Sequence, residues 1–198
     1  RLEVYSMCQL SNVSIGSCSV NMGNYCGFTS TTLGGGARMW GSNFCDWQRF
    51  TLGDSAYASI YYTCGMTDVA VGTSAYLYIS QNCSAVNLNI ADGGTAWICN
   101  SCNIANVTLG LGASLTASYF TDLENVQLSS GAVMWMHSSQ CHATNVTVSE
   151  GGSFYLSRYN YATSVTVDSG GMFYVASGAS AFAVTSSAGA NITVETGG

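Results

Sequence analysis

The chain has 198 residues, a formal net charge of −6 and only 7% charged side chains, and its four basic residues are all arginine. So few cations leave no basic surface for the phosphates of nucleic acid or anionic lipid, and no apolar run reaches the length of a membrane span. We therefore expect no nucleic-acid partner and no membrane insertion of this segment. The 23 glycines and the absence of proline suit short strands joined by tight corners.

The spacing of the cysteines indicates a repeat. Seven of them recur at a nearly constant interval, except that the last interval is about two periods long. They are Cys8, Cys26, Cys45, Cys64, Cys83, Cys102 and Cys141. A steady period of about 20 residues is typical of a solenoid, in which each coil buries its apolar face against its neighbours.

The first predicted element of each period is a short strand. Two mostly apolar residues flank one residue that is usually polar, and this period-two alternation is typical of a half-buried strand. The pairs are Val13 and Ile15, Thr31 and Leu33, Phe50 and Leu52, Val69 and Val71, Leu88 and Ile90, Val107 and Leu109, Val126 and Leu128, Val146 and Val148, and Val165 and Val167.

A glycine-rich corner and a second strand follow. Corners such as residues 34–36 and 170–171 consist of glycine, which turns tightly at little steric cost. In the second strand two alternating sets of side chains are predicted to line the interior. One set is Met39, Ala58, Leu77, Ala96, Leu115, Met134, Phe154 and Phe173, and the other is Ile60, Ile79, Ile98, Ala117, Met136, Leu156 and Val175.

A polar, serine-rich segment then passes the cysteine and leads to the next coil. Stacked in register, these strands predict an all-β fold: a single-stranded parallel β-helix, or β-solenoid, of about ten coils of roughly 19 residues. We expect one domain over residues 1–198, as a segment of a longer chain or fibre, because neither end carries a helix or a polar cap. After Val175 the pattern predicts a loss of register, because residues 182–184 and 192–194 do not both fit the spacing.

The units at residues 145–152 and 164–171 read NVTVSEGG and SVTVDSGG and lead into strands such as MFYV at 172–175. They resemble the strand-loop-strand repeats of bacterial autotransporter passengers, of the diffuse-adherence and self-associating adhesin type. The resemblance implies a right-handed parallel β-helix outside a bacterial cell, active in adhesion or autoaggregation and often O-glycosylated on serine or threonine. The nine cysteines depart from this pattern, because such passengers are typically poor in cysteine.

The cysteine file is open to three interpretations. Free thiols can act as small buried apolar side chains. Disulfides between successive coils would staple a rod in an oxidising environment, although the parallel Cβ vectors of stacked neighbours would strain them. A metal site is the third, because Cys99 and Cys102 have Cys-x-x-Cys spacing and His137 and His142 bracket the file's last member. No second matching pair is present, so we expect neither a metal nor a cofactor.

The outward residues of the second strand form a predicted aromatic stripe, which is the binding-site candidate. It comprises Trp40, Tyr78, Trp97, Trp135, Tyr155 and Tyr174, with Ser59 and Thr116 between them and Tyr57 and Tyr76 alongside. Exposed rows of large aromatics are uncommon on monomers and indicate a partner: a sugar, another protein or a second rod. Alternatively, the rings stabilise the strands by stacking on one another.

Two polar files lie on the first strand. They are Asn87, Asn106, Asn125 and Asn145, and Thr51, Thr108, Thr147 and Thr166. Asparagine ladders reinforce in-register stacks. A regular threonine lattice could instead order water, as in ice-binding solenoids, but Ala70, Asn89 and Gln127 interrupt it.

Parallel β-helices also host polysaccharide-active enzymes, which need converging carboxylates or a base. The acidic residues here are spread over different coils. Asp122 and Glu124 are the one close pair, and they have no histidine or basic neighbour in sequence. We therefore expect no catalytic residues and no enzymatic activity.

Together these patterns predict a non-catalytic extracellular β-solenoid at the cell surface. It would act as an adhesin or self-association segment through the aromatic stripe, with a second copy or a cell-surface protein or glycan as partner. The alternative is a structural subunit that polymerises end to end into a fibre. An ice-binding protein and a polysaccharide-active β-helix enzyme are the lesser alternatives.

Overall fold

The computed structural model describes residues 2–138 and 140–198, and within them the fold is all-β, with 22 strands and no helix. The first eleven strands are β1 (Leu2–Val4), β2 (Gln9–Ser11), β3 (Ser14–Ile15), β4 (Ser19–Met22), β5 (Gly27–Leu33), β6 (Arg38–Ser42), β7 (Asp46–Leu52), β8 (Tyr57–Tyr61), β9 (Gly65–Val71), β10 (Tyr76–Ser80) and β11 (Ser84–Ile90). The others are β12 (Thr95–Cys99), β13 (Asn103–Leu109), β14 (Ser114–Ser118), β15 (Asp122–Leu128), β16 (Val133–His137), β17 (His142–Val148), β18 (Ser153–Leu156), β19 (Tyr161–Val167), β20 (Met172–Val175), β21 (Ser180–Ser186) and β22 (Asn191–Val194).

The strands form two parallel sheets that alternate along the chain. Sheet A has the order β1-β4-β6-β8-β10-β12-β14-β16-β18-β20-β22, and sheet B runs β2-β5-β7-β9-β11-β13-β15-β17-β19-β21, with β3 also paired to β5. Neighbouring strands pair one period apart, as in Leu77 with Ala96 and Leu88 with Val107. The predicted β-solenoid of about ten coils is therefore confirmed, as is the parallel β-helix that the family resemblance implies.

The interior is filled by the predicted sets, all of which are buried. Large and small interior side chains compensate for each other within a coil. Trp47 is fully buried and stacks on Phe28 at 4.3 Å between ring centroids. Gly41 stands where the next coil has Ile60, and a Cβ on Gly41 would lie 2.9 Å from the Trp47 ring. The indole thus occupies the space that an isoleucine fills one coil later.

Each seven-residue strand of sheet B bends at its fourth residue, which has a positive φ. In the middle coils that residue is asparagine, as at Asn87 and Asn106, with φ of 60° and 56°. Asparagine enters this left-handed region more readily than most residues. The side-chain amides also join in a ladder, in which Asn106 Nδ2 donates to Asn87 Oδ1 at 3.0 Å and Asn87 Nδ2 donates to Asp68 Oδ1 at 2.7 Å. The predicted asparagine ladder is confirmed.

The predicted corners from sheet B to sheet A are four-residue turns closed by a backbone hydrogen bond, such as Ala56 N to Gly53 O at 3.0 Å. The third residue has a positive φ and is usually glycine, as at Gly170 with φ of 75°. The first residue is often glycine for a different reason. A Cβ on Gly53 would lie 2.6 Å from the carbonyl oxygen of Leu33 in the coil before, so the stacked backbones leave no room for a side chain.

The predicted loss of register after Val175 is wrong. Val184 pairs with Val165 in sheet B, and Ile192 pairs with Phe173 in sheet A, so both segments keep the period of the coils before them. The two segments belong to different sheets, so they do not compete for one spacing.

Candidate functional site

The aromatic stripe lies on the outer face of sheet A in the predicted register. Tyr78 pairs with Trp97, Trp135 pairs with Tyr155, and Tyr155 pairs with Tyr174. Strands in a sheet are about 4.8 Å apart, so rings at paired positions come within contact distance. Sheet A therefore carries a column of stacked side chains parallel to the axis of the rod.

Most rings of the stripe pack against other rings of the stripe. Trp135 stacks on Tyr155 with centroids 3.8 Å apart and planes at 7°, and Tyr78 meets the edge of Trp97 at 5.9 Å. As a result Tyr78, Trp135, Tyr155 and Tyr174 are only partly accessible.

Trp97 at 44% exposure and Trp40 at 38% are the members of the stripe that stand open to solvent. Ser59, predicted to face outward between the rings, is fully buried and donates to the Tyr57 hydroxyl at 2.7 Å. The expectation of a continuously exposed stripe is corrected to two exposed indoles beside a self-stacked row.

The hydroxyl of Tyr78 makes a polar contact near the carboxyl ends of the strands of sheet A. It lies 3.1 Å from Cys99 Sγ, which in turn lies 3.4 Å from Ser80 Oγ. Partial burial, and next the contact with Cys99, raise the pKa of Tyr78 to about 12. The phenol is therefore kept in its neutral form far into the alkaline range.

The cysteine file lines the inner side of the corner that leads from sheet A to sheet B. Each thiol in the middle of the file donates to the carbonyl three residues earlier, for example Cys83 Sγ to Ser80 O at 3.0 Å. Where the file lacks cysteine, Thr121 and Asn160 take the same position and donate to the carbonyls of Ser118 and Ser157 at 2.8 and 3.0 Å. The thiol thus acts as a buried donor that closes the corner, and other small donors can replace it.

All nine cysteines lie among the described residues, and seven of them are buried. Burial raises the pKa of the Cys26 and Cys141 thiols. Contacts between stacked thiols raise the pKa of Cys64 and Cys102 and lower the pKa of their partners Cys45 and Cys83. Within residues 2–138 and 140–198 no three cysteine, histidine or acidic side chains gather as a metal site. The choice between thiols and disulfides stays a prediction, which a thiol count with and without denaturant would test.

The outer side of the same corner carries exposed aromatic rings that the sequence patterns did not single out. These corner aromatics, each at least half exposed, are Tyr25, Phe44, Tyr62, Tyr119, Phe120 and Tyr159. The chain turns here through two successive residues of positive φ, such as Tyr119 and Phe120 at 50° and 60°. The cost of this conformation for bulky residues, about 1–2 kcal/mol each, is offset because corner amides bond to the next coil, as in Ser101 N to Tyr119 O at 3.0 Å.

A second site lies on the outer face of sheet B, where the strands begin. The register places Asp122, His142 and Tyr161 in one line on consecutive coils. His142 Nδ1 is 3.7 Å from Asp122 Oδ1, and the edge of the Tyr161 ring meets the imidazole at 5.1 Å between centroids. The Asp122–Glu124 pair has no histidine neighbour in sequence, but the fold brings His142 next to Asp122 in space.

These residues border a shallow groove, here called the sheet-B groove. Its wider part is a cleft of about 680 Å³ lined by Asp122, Gln140, His142, Thr144, Tyr161, Thr163 and their neighbours, with Phe120 at the corner. A second cleft of about 510 Å³ shares Asp122, His142 and Thr144 and extends the groove back to Ser84 on β11. One feature of the sequence could have predicted this contact. The last cysteine interval is one residue longer than two periods, and because of this extra residue His142 pairs with Asp122.

Chemically, the groove suits binding better than acid–base catalysis. The side chains of His142 and Asp122 are 59% and 60% exposed, whereas catalytic groups are usually tuned by burial. The groove offers exposed rings, hydroxyls and carboxylates on neighbouring strands of one sheet.

No protein-family model and no curated protein matches this chain. Among solved structures it is similar to the crystal structure of the TibC-catalyzed hyper-glycosylated TibA55-350 fragment, at 18% sequence identity and a TM-score of 0.48, over 98% of this chain and 92% of that chain. Within residues 2–138 and 140–198, no helix is both long and apolar enough to cross a membrane. The resemblance to autotransporter passengers thus rests on the repeat units and on the coils into which they fold.

Proposed function

We propose that this β-solenoid is a non-catalytic adhesion or self-association segment at the outer surface of a cell. It binds a second rod or a cell-surface protein or glycan through the outer face of sheet A and the corner aromatics. The location outside the cell belongs to the same proposal and follows from the resemblance of the repeat units to adhesin passengers.

The observation that carries this proposal is the exposure of Trp97 and Trp40. Large indoles at 44% and 38% exposure remain open on a face whose other rings are satisfied by stacking. Tryptophan and tyrosine dominate protein-binding surfaces because they bury much area at little conformational cost. The corner aromatics follow the carboxyl ends of the sheet-A strands, so exposed rings continue from the outer face of sheet A around the corner of the rod.

The test replaces Trp97 and Trp40 together by serine. We expect the double variant to keep the circular dichroism of the parent and to melt at a lower temperature, because the contacts of Trp97 with Tyr78 and Ser118 are lost, but to stay folded at the assay temperature and to lose clumping in a settling assay on cells that display the segment. Thr108→Ser, on the outer face of sheet B, is the matched surface control and should settle like the parent. Unchanged settling of the double variant would contradict a role for sheet A in association.

An end-to-end fibre is the second candidate. Electron microscopy of the purified chain separates the candidates: unbranched filaments one rod wide support the fibre, and short separate rods support the adhesion segment.

A further inference from the structure

The sheet-B groove is a concave surface that the proposed function does not use. It runs along the rod on the sheet opposite the aromatic stripe, and its walls come from side chains on successive strands. Because both clefts share Asp122, His142 and Thr144, the groove is continuous from β11 to β21. Six strands at about 4.8 Å spacing make it roughly 24 Å long.

The walls combine two kinds of group that recognise sugars. Tyr161 is 43% exposed and Phe120 is 53% exposed, and such rings stack on the apolar C–H faces of a pyranose. Thr144, Thr163 and Gln140 supply hydroxyl and amide groups along the same line. This mixture of flat apolar rings and short polar side chains fits a ligand that is itself apolar on its faces and polar at its edges.

Charge narrows the class of sugar. Asp122 and Glu124 place two carboxylates on the groove, where they can accept hydrogen bonds from sugar hydroxyls. None of the described arginines lines either cleft. A uronic, sulfated or sialylated glycan would bring negative charge against these carboxylates, with no arginine there to compensate it and with the imidazole of His142 already in contact with Asp122, so an uncharged glycan is favoured.

We infer that the sheet-B groove binds an extended, uncharged oligosaccharide that lies along the axis of the rod. Tyr161 stacks on one sugar ring, and Asp122 and Glu124 accept hydrogen bonds from hydroxyls of neighbouring sugar units. This site does not depend on the aromatic stripe, so each can fail without the other.

The experiment is isothermal titration calorimetry of the purified chain with cellohexaose, laminarihexaose and mannohexaose, and with hexagalacturonate as the anionic counterpart. We expect saturable binding of at least one neutral probe and none of hexagalacturonate. Tyr161→Ala should reduce the affinity for the neutral probe about tenfold. Asp122→Asn should reduce this affinity by a smaller factor, because the amide oxygen still accepts a hydrogen bond.

Two controls keep the result interpretable. Trp97→Ser, on the opposite sheet, should bind the probe like the parent, and its settling behaviour reports separately on the proposed function. Thr108→Ser, on the outer face of sheet B but outside both clefts, should also bind normally. The inference is overturned by an absence of binding with all three neutral probes, by equal binding of hexagalacturonate, or by Tyr161→Ala binding as well as the parent while its melting temperature is unchanged.

Discussion

On sheet A the aromatic rings meet one another, whereas along sheet B the rings of Tyr161 and Phe120 stand apart around a groove. Trp135 and Tyr155 lie 3.8 Å apart in an almost parallel stack, and each covers the other from water. Tyr161 meets His142 at nearly a right angle, in a T-shaped contact, and stays 43% exposed. The contrast indicates that aromatic residues at paired positions on adjacent coils cover one another by stacking, whereas a ring without such a stacked partner stays open to solvent.

Breaking the stack on sheet A should cost the most stability. Trp135→Ser removes a ring that packs on both Tyr155 and His137, and we expect a loss of about 3 kcal/mol in the free energy of unfolding. Urea denaturation followed by circular dichroism measures it. Tyr161→Ala is the matched control on sheet B, where an exposed ring should cost about 0.5 kcal/mol. Equal losses from the two variants would remove the distinction between the sheets.

The bend in sheet B gives the next effect. Asn106→Ala forces alanine into a positive φ and deletes the amide contacts to Asn87 and Asn125, with an expected loss of about 2 kcal/mol. Asn106→Gly deletes the same contacts but accepts the backbone angle, so it should lose about 1 kcal/mol. If both variants unfold at the same urea concentration, the backbone conformation is not what selects asparagine here.

The smallest expected effect is the pH dependence of stability that comes from the hydroxyl of Tyr78. The pKa of Tyr78 is raised from 10 to about 12 in the folded chain, so the unfolded chain loses this proton first. The contribution of Tyr78 to stability is therefore complete below pH 10 and is lost as the pH rises towards 12.

Tyr78→Phe keeps the ring and removes the ionisation. We expect the difference in melting temperature between parent and variant to shift steadily across this alkaline range and to stay constant below it. A difference that is the same at every pH would show that the folded and unfolded chains titrate this phenol alike.

The coil architecture could be predicted from the sequence because the backbone register fixes it. A step of one period returns each side chain to the same wall, so the interior sets were correct residue by residue, and the outward file was correct except for Ser59, which is buried. The one error of register arose from comparing residues 182–184 with 192–194, which lie in different sheets.

Exposure was harder to predict than register. Whether Tyr78 or Trp97 is open depends on how one ring leans on the next, and alternation along a strand carries no information on that. The corner aromatics were missed for a related reason. Corners are inferred from glycine and other turn-forming residues, and Tyr119 and Phe120 form a corner although neither is such a residue. The contact between Asp122 and His142 could have been found, because the single extra residue in the last cysteine interval aligns them.

The asparagine ladder gives the rod an electrical direction. From Asn145 through Asn125 to Asn106 every amide donates towards the N-terminal side, so the small dipoles add instead of cancelling. The last acceptor in that direction is the carboxylate of Asp68, which places a negative charge at the positive pole, as an acidic residue does at the start of a helix.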